Sequence, residues 1–339
     1  MAVAQCGSHP VEAALAACFP AGQFQFSASV PERNGSLPFG PSIGLSTRAI
    51  PCIRSFSGGS SSFLFGSARA SRFLQGDSVP MTSSVISHAS EPVSADFRNI
   101  ERDQARAVQQ SLLPTATLAR PDCQVSCRYS PLTEVGGDFA DYFSLPDGKV
   151  GIYLGDVVGK GLPAAMYGAL VMGMLRGIHK TGTDTSAVLA LLNKRLLVRP
   201  VPAHYCSTIY AVYDPPSRRL CFSNAGLPYP LHASSESVAT LEQSGIPSGL
   251  FPGTEYDALT VTLSPGDTIL FATDGVHEMR NAAREDFSWQ QLGKIWQRSR
   301  RFSADESVDM LFDELHVFSS GAPRHDDVTA VVLKIPEGV

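Results

Sequence analysis

The sequence contains no apolar run approaching the roughly 20 residues that a bilayer-spanning helix requires, so no membrane is expected. It has no basic surplus either. Its 27 Lys and Arg stand against 32 Asp and Glu, a formal net charge of -5, which argues against nucleic acid or an anionic membrane as partner. Cysteine is sparse and unpatterned: there are seven, and the one close pair, Cys123 and Cys127, has no second pair and no nearby His. That spacing excludes a zinc site and predicts buried free thiols in a reducing, cytoplasmic setting. No internal repeat and no sensor module is visible. The stretch from Gly155 to Gly161, G-x3-G-K-G, lacks the spacing and the Ser/Thr of a phosphate-cradling loop, which argues against a nucleotide-dependent kinase.

The first 90 residues also lack periodicity. They hold 18 Ser and five Arg but only three acidic residues, Glu12, Glu32 and Asp77, with neither a helical nor a strand pattern. Such a stretch buries too little to offset its chain entropy, so residues 1–95 are expected to be a disordered or low-complexity segment. Three accounts of it stay open: a targeting segment, a regulatory tail, or residues upstream of a start at Met81.

What is present begins at Asp96. Helix formers fill 96–113, with Phe97, Ile100, Ala107, Val108, Leu112 and Leu113 as apolar positions, and Pro114 ends the run. This 96–114 helix is either a plain lead-in or a regulatory and dimerising helix. Beyond it the pattern predicts strands over 125–129, 139–145, 150–154, 207–213, 220–223, 229–232, 258–263, 268–272 and 328–335, with helices over 162–179, 185–197 and 304–318. The turn Pro146-Asp147-Gly148-Lys149 marks a hairpin, and Pro163 sits in a first helical turn, where a missing N–H costs nothing. Meandering strands with two separate helix groups give an α+β class with helices outside antiparallel sheets, in a domain covering 115–339. Met166, Met172 and Met174 fall near helical spacing and are expected in the core.

Four places put aspartate where a strand runs into a tight turn: Gly136-Gly137-Asp138, Gly155-Asp156-Val157, Thr273-Asp274-Gly275 and His325-Asp326-Asp327. Any one of these could be ordinary turn chemistry. Two, however, follow strands that read as buried, GIYL and TILFA, where an unpaired carboxylate is costly. Lys160 and Arg324 are the only basic residues close by. A pair of hard divalent cations would resolve the conflict and would suit hydrolysis of a phosphate ester.

The segments QQSLLP, VGGDF, GDVVGKGLPAAM, SNAG, GIPSGL, ATDGVHEMRN and HDDVTAVVLKI, in that order, resemble the SpoIIE/RsbU branch of the metal-dependent type 2C (PPM) protein phosphatases. The resemblance implies a four-layer αββα sandwich with two central antiparallel sheets, binding two Mn2+ or Mg2+ ions. It implies hydrolysis of phosphoserine or phosphothreonine on a protein through metal-activated hydroxide. Carried over by residue, Asp156 would bridge both metals and the Val157 carbonyl would bind one. Asp274 and Asp326 would bind the other, and Asp138 would act on the first, directly or through water. The implied substrate is a phosphorylated anti-sigma-factor antagonist in partner switching; the alternative is a non-catalytic partner-binding module on the same fold.

Neighbours on a strand face opposite sides, so only one of Asp326 and Asp327 would face the metals; the resemblance favours Asp326. Leu227 and Ser248 depart from the family pattern, which leaves substrate preference open there. Glu134, His277 and Glu278 read as surface or supporting residues.

Overall fold

The computed structural model describes residues 95–179 and 184–338, with side chains from 99 onward; the expectations for 1–94 lie outside the described residues. Strand β11 (Val328–Lys334) is buried at every position, which requires cover on both of its faces. Val331 and Leu333 enter a core shared with Val125, Ile152, Leu154, Ile209 and Phe271. Ala330 and Val332 point the other way, to a core with Trp296, Val308 and Leu311.

That two-sided burial follows from two stacked sheets with helices outside. One sheet has the order β1 (Leu118–Ala119), β2 (Gln124–Ser130), β11, β10 (Thr268–Ala272), β7 (Leu231–Ala233), β8 (Val238–Thr240). The other has β3 (Phe139–Ser144), β4 (Val150–Val157), β5 (Cys206–Asp214), β6 (Arg219–Ala225), β9 (Leu259–Thr262). All pairings are antiparallel.

Helices α1 (Ala95–Leu112), α2 (Gly161–Ile178) and α3 (Thr185–Leu196) accompany the five-stranded sheet, with Tyr153, Val171, Leu175, Leu189 and Tyr210 in the core between. The short α4 (Asp274–His277), α5 (Trp289–Trp296), a 3-10 turn (Gln297–Arg301) and α6 (Ala304–Ser319) accompany the six-stranded sheet. The result is the expected α+β four-layer αββα sandwich.

Local chemistry sets the helix ends. Asp184 caps α3 by accepting from the N–H groups of Ser186 and Ala187, and Ser303 forms a capping box with Glu306 at the start of α6, each worth about 1 kcal/mol. Contrary to the expectation of no sufficiently long apolar run, helix α2 is long and apolar enough by composition to cross a membrane, yet Tyr167, Val171, Leu175 and Ile178 bury against the sheet. Its other edge, Leu162, Met166 and Leu170, is exposed. This corrects the expectation for Met166, which lies about 140° around the helix from buried Val171. Met172 is buried and Met174 packs at the core margin.

Five elements escaped the sequence pattern: β1, β8, α4, α5 and the 3-10 turn. The strand expected over 229–232 is shifted to Leu231–Ala233. Among the described cysteines, Cys123, Cys127, Cys206 and Cys221 are free, as expected.

Candidate metal centre

Strand alternation decides what reaches the space between the sheets. On β4, Val150, Ile152 and Leu154 enter the inter-sheet core, so Asp156 at the same parity turns toward that space at the strand's end. Ala140 and Tyr142 do the same on β3, and Asp138 precedes them in step. On β10 and β11 the same parity continues through Phe271 to Thr273 and from Val331 back to Thr329. Four segments distant in sequence thus meet at one end of the sandwich.

There the carboxyls of Asp138, Asp156, Asp274 and Asp326 act on one another. Burial pushes the Asp138 carboxyl up to about 8; hydrogen bonds from Thr329 and Thr273 oppose that, while the charges of Asp327 and Asp274 add to it. Asp156 is driven well above the usual carboxylate range by burial first, then by Asp138, Asp274 and Asp326. Asp274 is raised by burial and by Asp326, with the Gly275 N–H and Lys160 opposing. Each shift says that the charged form is poorly accommodated by the protein alone.

The Val157 carbonyl lies at the same place: a Cβ added to Gly137 would stand 2.9 Å from its oxygen. Cation supply is meagre. Lys160 Nζ bonds Asp326 Oδ2 at 3.0 Å. Arg324 turns away and donates to the carbonyl and hydroxyl of Ser130 and to the carbonyl of Pro131.

Oxygen donors in excess of positive charge, desolvated and partly held in place, are the donor set that a hard divalent cation accepts. Among the described residues no three acidic, His or Cys groups already stand as a formed metal shell. Mg2+ in particular is commonly held by one or two carboxylates with water completing its shell, so the residues present fit such an ion.

Asp326 and Asp327 do not divide by strand alternation, because β11 begins after them, at Val328. Both reach the site with different partners. Asp326 Oδ1 accepts from the N–H of Asp327 at 2.9 Å, and its Oδ2 meets Lys160. Asp327 is 5% exposed and accepts from the N–H groups of Leu132 and Gly137, both at 2.7 Å. It clamps the loop that carries Asp138.

Three supporting side chains were not singled out from sequence. Thr273 and Thr329, both fully buried, donate to the same Asp138 Oδ2 at 2.8 and 2.6 Å. Gln109 on α1 pins the peptide of Gly136 from both sides, donating to its carbonyl at 2.7 Å and accepting from its N–H at 3.1 Å. The QQSLLP segment was a signal for Gln109. Leu227 and Ser248, the departures from pattern, are buried, and Asn224 brackets Leu227 through both of its backbone polar groups.

Comparison with known proteins bears on this arrangement. The family "Stage II sporulation protein E (SpoIIE)" matches residues 146–336, more than half of the chain. The chain is 25% identical over 272 residues to protein IcfG of Synechocystis sp., covering 72% of this chain but only 43% of IcfG. It is 26% identical over 236 residues to phosphoserine phosphatase RsbU of Bacillus subtilis, covering 69% of this chain and 70% of RsbU. Its fold superposes on the SiaA PP2C domain of Pseudomonas aeruginosa with a TM-score of 0.63 at 22% identity, over 71% of this chain and 97% of that one. With this match the chain belongs to the Stage II sporulation protein E (SpoIIE) family, and its sandwich has the fold of the PP2C domain.

Proposed function

We propose that residues 115–339 form a metal-dependent protein serine/threonine phosphatase that removes phosphate from phosphoserine on a protein substrate. The substrate class is an anti-sigma-factor antagonist of a partner-switching pathway, in the cytoplasm. The observation that carries the reading is the meeting of four carboxyls, three of them raised by burial and mutual repulsion, with one half-exposed lysine to offset them. Similarity to a phosphoserine phosphatase of the same family supports it.

In this reading Asp156, the Val157 carbonyl, Asp274, Asp326 and Asp138 would hold two Mn2+ or Mg2+ ions, with Asp156 the residue that would serve both. Bound there, the ions supply Lewis-acid chemistry, lowering the pKa of a water and offsetting charge on the phosphoryl oxygens.

The protein's own groups do the rest. Thr273 and Thr329 fix the Asp138 carboxyl from one side, leaving its other oxygen for the site. Asp327 holds Gly137 in place. A thiolate route is unfavourable, since burial pushes the nearby Cys206 thiol up to about 12, opposed by Thr208 and reinforced by Asp156. The 96–114 helix is the proposed input for a regulator or a second copy, because Gln109 joins it directly to the Asp138 loop.

The test is turnover of a phosphoserine protein by the full chain with and without Mn2+, alongside Asp156→Asn. Mn2+-dependent release of phosphate by wild type and its loss in a folded Asp156→Asn protein are expected. Retained Mn2+-dependent turnover in that variant would defeat the assignment.

A further inference from the structure

We propose that Lys160 is a tethered counter-ion for the Asp326 end of the acidic site, which a divalent cation must displace in order to load. On this account Lys160 sets how much cation the site requires. The proposal rests on the metal reading above.

Geometry puts the ammonium in the cation's way. Asp326 Oδ1 is engaged by the N–H of Asp327, and Oδ2 is the oxygen that Lys160 holds at 3.0 Å. Lys160 Nζ also donates to the His325 carbonyl, so it ties down both the side chain and the backbone leading into it. Among the described residues this is the one ion pair made by an acid of the site, because Arg324 is engaged by Ser130 and Pro131.

The pair is built to open. Its side chains are 48% and 32% exposed, so water competes for both partners and the bond is weak. Lys160 stands between Gly159 and Gly161, at φ 104 and 67, and a Cβ at either would meet nothing within 4 Å. The lysine therefore stands on a turn with open space at both flanking glycines, its ammonium at the end of a flexible four-carbon stem. One positive charge at this point faces Asp326 and also draws on Asp274. A divalent ion brings twice the charge and direct oxygen ligation, so it wins the exchange at sufficient concentration, and the lysine determines what concentration suffices.

The alternative is that Lys160 stays beside the loaded site and supports it. The two accounts predict opposite signs. Full-length wild type, Lys160→Gln and Lys160→Arg are stripped with chelator and titrated with Mn2+ by calorimetry, and their melting temperatures are followed with and without the ion. Displacement predicts about fivefold tighter binding by Lys160→Gln, the size appropriate to an exposed ion pair, and wild-type affinity in Lys160→Arg. It also predicts that metal-free Lys160→Gln melts below wild type at pH 8 and that saturating Mn2+ closes the gap. Unchanged or weaker Mn2+ binding by Lys160→Gln would overturn the role of Lys160 alone. Failure of wild type to bind Mn2+ would overturn the metal reading and the proposal with it.

Discussion

Thr329 Oγ1 donates to Asp138 Oδ2 at 2.6 Å across 191 residues of chain, joining the loop that enters the first strand of one sheet to the last strand of the other. A hydrogen bond to the charged form holds a carboxylate ready for a cation. Thr329→Val keeps the shape and removes the donor. Hydrogen bonds to charged groups contribute about 1.5–3 kcal/mol, so the Mn2+ concentration for half-maximal phosphatase activity should rise by about 10-fold or more. Thr329→Ser should restore most of it.

Metal-free protein should lose stability as pH rises. An unfolded aspartate has released its proton by about pH 4, whereas folded Asp138 keeps it up to about 8. Between those values the folded state binds the extra proton, so raising the pH favours unfolding. Melting temperature in chelator should fall from pH 5 to pH 8. Asp138→Asn should flatten that slope, and a slope unaltered by the substitution would contradict the assignment of this proton.

Asp326 and Asp327 should separate by readout. Asp326→Asn is expected to weaken Mn2+ binding and to lower metal-free stability by no more than the exposed Lys160 pair contributes, about 1 kcal/mol or less. Asp327→Ala leaves the N–H groups of Leu132 and Gly137 without their partner, a loss of about 1–3 kcal/mol for each buried group left unsatisfied. Chemical denaturation in chelator should register it.

Gln109→Ala should free helix α1. Ile100 and Val108 are exposed on this helix, so few apolar contacts hold it. Its ties are polar: Gln109 to Gly136 and Tyr129, Arg106 to the Glu134 carbonyl, and Arg176 to the Leu112 carbonyl. Amide exchange over 99–112 should rise by about 10-fold or more, while exchange in β4 and β11 stays slow.

Much of this was legible beforehand because strands carry their own period and Asp at a strand end marks itself. The buried reading of GIYL and TILFA already marked Asp156 and Asp274 as carboxylates in need of a positive partner. What was hidden depends on partners far away. The roles of Thr273 and Thr329 exist only through Asp138, 135 and 191 residues distant, and a lone Thr in a strand is unremarkable. Helix α5 is eight residues long and follows a polar loop, too short for periodicity to stand out. Its capping box of Ser288 and Gln291 was a signal left unused. Met166 shows the converse: spacing identifies a helix but not which of its edges the fold covers.

The glycines around Asp327 carry a final consequence. A Cβ at Gly136 would fall 2.3 Å from the Asp327 carboxylate, and one at Gly275 would fall 1.8 Å from its carbonyl oxygen. Gly275 meets the Asp327 backbone directly, and Gly136 packs on the Asp327 side chain, which the N–H groups of Leu132 and Gly137 hold in place. The junction has no slack, so mutational tolerance at this end of the sandwich should drop to glycine alone at both positions. Any motion that opens the site must therefore carry all three segments together.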